Sequence, residues 1–162
     1  MTNTYLRKEE PRRAPLTVAL LIMLWLAASQ QLAAEEFQRC APNRVAVGGY
    51  DLVSYHQPGR LIPGSPDFVH HHNGLRYYFH SAENLAVFQD GNENYLPVYQ
   101  GWCVATLAMG RLACPDYTNY KVEDGRLLLF ELAGFTNGRS LWNSDSTGFR
   151  QRADANFKTL VN

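Results

Sequence analysis

Two stretches of the chain set apolar residues around a turn, and they carry most of the architectural signal. Phe68 to His72 and Leu75 to Phe79 flank Asn73-Gly74, a pair favoured in two-residue hairpin loops because both positions tolerate positive φ. Such a loop fixes the register. His72 faces Leu75, His70 faces Tyr77 and Phe68 faces Phe79, three pairs on what reads as the core face. His71 with Arg76 and Val69 with Tyr78 fall on the other face, and Asp67 meets His80 if pairing continues. By the same rule Tyr120 to Val122 and Leu127 to Phe130 form a second hairpin around Asp124-Gly125.

Between and beyond the hairpins the apolar spacing becomes helical. Ser81 caps a helix with Glu83 in its first turn, Ala82, Leu85 and Phe88 along one stripe, and Gly91 at its end. A second short helix fits Gly101 to Gly110, with Cys103 and Leu107 one turn apart and Val104 and Ala108 beside them. A last helix from about Phe149 presents Phe149, Ala153, Phe157 and Leu160. Ahead of these, Gly48-Gly49 precedes the run Tyr50 to Tyr55, read as a first strand with Asp51 organising the turn at its start. Pro58, Gly59, Pro63, Gly64 and Pro66 mark a returning loop. The expected fold class is α+β, a small antiparallel sheet of hairpins with short helices packed on it, preceded by an N-terminal hydrophobic helix.

That helix is the topological signal. Arg7, Lys8, Arg12 and Arg13 precede the apolar run from Leu16 to Ala34, and small residues follow at Leu32-Ala33-Ala34. The thirteen-residue apolar stretch from Leu16 to Ala28 matches a signal-peptide core. The whole segment is also just long enough to remain as an anchor. Either way the basic flank leaves the remainder outside the cytoplasm, periplasmic or anchored to the inner membrane by residues 16–34. The organisation is then residues 1–34 as signal peptide or anchor, 35–44 as linker and 45–162 as the folded domain. Fifteen Lys and Arg balance fifteen Asp and Glu, so no basic field recruits nucleic acid. Three cysteines in an oxidising compartment give one disulfide and one thiol by arithmetic. Cys103 and Cys114 are the closer pair in sequence, and the pairing itself stays open.

Five blocks, GGYDLVSY (48–55), NGLRYYFHSAENLAVF (73–88), NENYLPVYQGWCVATLAMG (92–110), YKVEDGRLLLF (120–130) and WNSDSTGFRQRADANFKTL (142–160), resemble the YHS domain family in its order. The resemblance spans nearly all of Val45 to Leu160 and is strongest to exported single-domain members. It implies a small metal- or partner-binding domain. Related domains sit beside copper-transporting ATPases and some metal-dependent monooxygenases, and Cys103 occupies the family's cysteine position. The histidines 70–72 and Cys114 depart from the pattern and inherit no role from it.

Among candidate residues, Cys103 reads as a soft-metal ligand, half of a disulfide with Cys114, or a small core residue. His70 and His72 share a strand face and can converge on one ion, whereas His71 points away. His80, which faces Asp67 if pairing continues, reads as a further ligand, a general base or a hydrogen-bonded strand end. Phosphate-loop, zinc-metalloprotease and c-type haem motifs are absent. The leading expectation is a non-catalytic extracytoplasmic domain binding a transition metal, copper first, through Cys103 with His70, His72 or His80. Its rival is an interaction or assembly subunit of a membrane protein complex, with no metal. An enzyme using His80 and Asp67 comes third.

Overall fold

The computed structural model describes residues 40–161 except Arg60, together with Val18, Leu20, Leu21, Met23, Leu24 and Trp25. Those six N-terminal positions are helical and exposed. The remainder of the predicted signal or anchor segment, and residues 35–39 of the linker, lie outside the described residues. Among the described residues no helix is long and apolar enough to cross a membrane. The chain divides into a unit over 1–32 and a unit from residue 33 onward, and the second holds the folded domain.

Within it the chain makes two tight 3-10 turns, Pro42–Arg44 and Ala46–Gly49, then a one-turn helix α1 (Leu52–Tyr55). Strands β1 (Ser65–His72) and β2 (Leu75–Phe79) follow, then α2 (Ala82–Tyr95) and α3 (Val104–Ala108). Next come β3 (Asp116–Glu123), β4 (Arg126–Phe130) and the short β5 (Leu132–Ala133) and β6 (Thr136–Asn137). Helices α4 (Gly138–Ser144) and α5 (Ser146–Leu160) close the domain. Among the described residues the strands pair as three separate two-stranded antiparallel sheets, so the α+β class holds with small sheets in place of one.

Strand β4 explains how these pieces share an interior. Leu127 and Leu129 enter one cluster with Leu52, Tyr55, Leu75, Tyr77, Phe79 and Phe88. Leu128 and Phe130 enter the other with Cys103, Leu107, Trp142, Phe149 and Ala153. All four β4 residues are at most 2% exposed. A strand buried on both faces reads as an uninterrupted apolar run, which is what LLLF is.

Both predicted hairpin turns form, with His72 opposite Leu75, His70 opposite Tyr77 and Val122 opposite Leu127. Phe68 does not face Phe79. Ser65 does, because the register slips between Ser65 and Val69. Pro66 lies in that interval and has no N–H to give to a ladder. Gly64, just before it, has Tyr78 so close that an added Cβ would lie 2.5 Å from the Tyr78 carbonyl, which only glycine allows. Helix α2 continues past the predicted stop at Gly91 as a kink (φ −136°, ψ 37°) and ends at Tyr95. On α5 the expected face holds for Phe149, Ala153 and Phe157, while Leu160 is 39% exposed.

The run Tyr50 to Tyr55 is not a strand. Asp51 is the N-cap of α1, its Oδ1 accepting the Val53 N–H at 2.8 Å, and all four α1 residues are buried. The other carboxylate oxygen reaches out of the turn. Oδ2 accepts the His80 N–H at 2.7 Å and the Asn84 Nδ2–H at 2.7 Å. Asp51 is fully buried, so it joins α1, the end of β2 and the first turn of α2 away from water. Hydrogen bonds to a buried charge are worth about 1.5–3 kcal/mol each, and stranding their donors adds cost. We expect Asp51→Ala to lower unfolding free energy by roughly 3–5 kcal/mol in urea titrations. Asp51→Asn, with an NH2 facing donors, should lose less. A change in Asp51→Ala under about 0.5 kcal/mol contradicts the role.

Candidate functional site

The disulfide is Cys40–Cys114, with Cα atoms 5.0 Å apart across 74 residues, and Cys103 is a buried free thiol. The Cys103–Cys114 bond that sequence proximity suggested therefore gives way to another pairing. Cys103 does lie close to that strand of chain, donating its N–H to the Ala113 carbonyl at 3.1 Å. It is Ala113 that packs in the core beside Cys103, and Cys114, one residue on, meets Cys40. Proximity in sequence was a poor guide because Cys103 is enclosed in the core cluster with Ala113, while Cys114 is bonded to Cys40 at the domain's entering chain.

Cys103 is fully buried at the N-cap position of α3, and its Sγ accepts the Glu131 N–H at 3.1 Å. Its surroundings are apolar. The histidines gather elsewhere. His70 packs edge-on against Phe88 with centroids 5.1 Å apart. His72 lies against Tyr77, its Nε2 3.0 Å from Asn73 Nδ2. His80 is exposed and contributes its backbone N–H to Asp51. Cys103 thus belongs to one core cluster while His70 and His72 border the other. No three His, Cys, Asp or Glu side chains converge among the described residues. Asp67 and His80 also part, because the slip in β1 takes Asp67 out of register. Its carboxylate accepts the Ser65 hydroxyl at 3.1 Å instead.

What the fold does assemble is a groove of about 260 Å³ beside the first hairpin, floored by Leu75, Tyr77, Leu96 and Pro97 and rimmed by His72, Asn73 and Gln100. It runs, through Leu75, Tyr77, Pro97 and Gln100, into a narrow recess at Cys40, Val47 and Trp102. Its walls carry unusual backbone. Asn73 (φ 49°), Val47 (φ 45°) and Gln100 (φ 57°) are left-handed, as is Tyr99 (φ 53°) beside them. Asparagine tolerates that region, but a β-branched valine there is a genuine outlier. Strain of about 1–3 kcal/mol per residue persists only where surrounding contacts impose it, and it concentrates at binding sites.

Those contacts are visible. Tyr99 donates its hydroxyl to Asp154 at 2.8 Å, locking the left-handed turn to α5. Tyr117 donates to the Cys40 carbonyl, and Tyr55 to the Tyr117 carbonyl at 2.9 Å. Burial pushes the Tyr77 phenol up to about 12, so the groove floor is uncharged at neutral pH. Farther off, Glu123 accepts hydrogen bonds from Lys121 (2.7 Å), Trp142 (3.1 Å) and Arg150 (2.9 Å). The Lys121 bond foremost holds its carboxyl below the usual range. It ties β3 to α4 and α5 and is a structural node.

Of the groove residues the sequence singled out His72, as a metal ligand with His70, and Asn73 through the hairpin turn. Tyr77, Leu96, Pro97 and Gln100 went unassigned to any site because no motif announces a left-handed Tyr-Gln pair. Comparison of the chain with protein-family models, curated proteins and solved structures finds no match in any of the three.

Two histidines make stability pH-dependent. Burial lowers the pKa of His56, opposed by a hydrogen bond with the Tyr95 backbone, and the His56 Nε2 is buried without a hydrogen-bond partner. Burial also lowers His70, with His72 and His71 adding to it. A lowered histidine pKa means the unfolded chain takes up the proton first as pH falls. Stability is therefore complete above 6.5, the ordinary value, and declines below it. We expect the urea midpoint to drop between about pH 7 and pH 5, and His56→Gln to flatten that slope. A midpoint unchanged over the interval contradicts the assignment.

Proposed function

We propose that this chain is a non-catalytic, YHS-like domain that works outside the cytoplasm, held at the membrane by residues 16–34, as an interaction or assembly subunit of a membrane protein complex. The observation that carries the reading is the preformed groove at His72, Tyr77, Pro97 and Gln100, built on left-handed backbone. Strain held in place before any partner arrives lowers the ordering cost of binding. The rim offers an imidazole and two carboxamides over an apolar floor, polar groups that can orient a partner by hydrogen bonding.

The Cys40–Cys114 disulfide supports the compartment, since such bonds persist where thiols are oxidised. The five YHS-like sequence blocks support the family reading. A copper role through Cys103 draws less support, because its sulfur is enclosed by apolar side chains and already engaged by the Glu131 amide.

The test is affinity purification of the full chain from membranes of its own cell in mild detergent. We expect wild type to carry larger membrane proteins with it. A His72→Glu/Gln100→Glu variant should lose them while its melting temperature stays within about 3 °C, as suits surface changes. A monodisperse monomer in both cases, or stoichiometric copper lost on Cys103→Ser, overturns the proposal.

A further inference from the structure

One apolar feature has no role in either core. The β5–β6 hairpin pairs Leu132 with Asn137 and Ala133 with Thr136, leaving Gly134-Phe135 as its two-residue turn. Gly134 supplies the positive φ (57°) such a turn needs at its first position. The second position is one that turn chemistry fills with Asn, Asp or Ser. Here it holds Phe135, which is completely exposed, and Leu132 on the same hairpin is 52% exposed.

The hairpin is rigidly mounted. The Glu131 carbonyl accepts the Gly138 N–H at 3.0 Å and the Asn119 Nδ2–H at 3.1 Å. Asn137 Oδ1 accepts from Asn119, Arg139 N–H and Ser140 N–H, fixing the hairpin to the start of α4. From Leu132 to Arg139 the chain has no carboxylate and one arginine. Glu131, at the base, is paired with Arg111 at 3.1 Å. The finger is thus apolar at its tip and weakly cationic around its base.

Size decides what it fits. A phenylalanine presents about 150–250 Å², and with Leu132 the tip still falls far short of the roughly 800 Å² per partner in stable protein interfaces. A bilayer needs no matching surface and accepts a small protruding tip, with basic side chains favoured at anionic headgroups. We propose that the β5–β6 hairpin contacts an anionic phospholipid surface, Phe135 entering the interfacial region and the exposed Arg139, which also donates to the Tyr120 carbonyl at 3.1 Å, facing the phosphates. This contact rests on the membrane-held reading of the chain, because one apolar tip partitions weakly unless a tether raises its local concentration.

Hydrogen–deuterium exchange on the full chain tests it. The chain is reconstituted into vesicles of equal parts phosphatidylcholine and phosphatidylglycerol, or held in detergent without lipid. Amides of residues 132–137 should exchange at least about fivefold more slowly in the vesicles for wild type and Phe135→Leu. In Phe135→Asp that protection should vanish, with exchange in detergent unchanged, since the side chain supports no core. Equal exchange of wild type and Phe135→Asp in vesicles overturns the proposal. So does protection that appears in detergent and grows with protein concentration, which marks a second copy as the occupant. Exchange over residues 16–34 in the same samples reports the tether separately. An embedded segment with an unprotected hairpin sinks the tip alone, and a freely exchanging segment sinks the tether reading.

Discussion

A carboxylate with no access to water, Asp51, accepts hydrogen bonds from Val53, His80 and Asn84 at 2.7–2.8 Å. Moving an ionised side chain out of water costs far more than any single apolar contact returns, so its donors must all be in place at once. Those donors belong to the start of α1, the end of β2 and the first turn of α2. The position of the first hairpin relative to both helices is therefore set by one side chain, and the interior of Leu52, Phe79 and Phe88 forms around that junction. In the other half a partly exposed carboxylate, Glu123, gathers Lys121, Trp142 and Arg150.

Between the two junctions runs β4, whose side chains fill both cores alternately. The Cys40–Cys114 bond then fastens the entering chain to the segment before β3. Closing so long a loop removes much unfolded-state freedom, of order 4 kcal/mol in the chain-entropy account. The bond, with the Tyr99–Asp154 and Tyr117–Cys40 hydrogen bonds, ties down the chain around Val47, Tyr99 and Gln100, whose backbone beside the groove is left-handed.

Where turn chemistry governs, the sequence was legible. Asn73-Gly74 and Asp124-Gly125 specify their hairpins because few residue pairs fit those dihedrals, and Ser81 does cap α2, accepting the Asn84 N–H at 3.3 Å. Where burial overrides alternation, it was not. Leu52 to Tyr55 is buried throughout, so neither the strand nor the helix period shows, and Asp51 as a cap was the deciding cue. Pro66 read as part of the returning loop, yet it lies inside β1, in the interval where the register slips. Of the site, strand alternation correctly separated His71 from His70 and His72. A core position was one of three readings of Cys103, beside metal ligand and disulfide, and local spacing could not choose among them, since the closed core depends on Ala113, Leu128 and Phe130 arriving from elsewhere.

The proposed function rests on which cysteines are bonded and which is enclosed. Cys103 as a core residue favours the groove reading, whereas an accessible Cys103 favours metal chemistry. Peptide mapping of the non-reduced protein after alkylation, native and then in denaturant, reads both facts directly. The expected result is one fragment joining Cys40 to Cys114 and a single thiol, Cys103, that is labelled only after unfolding. A fragment joining Cys103 to Cys114, or rapid labelling of Cys103 in the native protein, would contradict it.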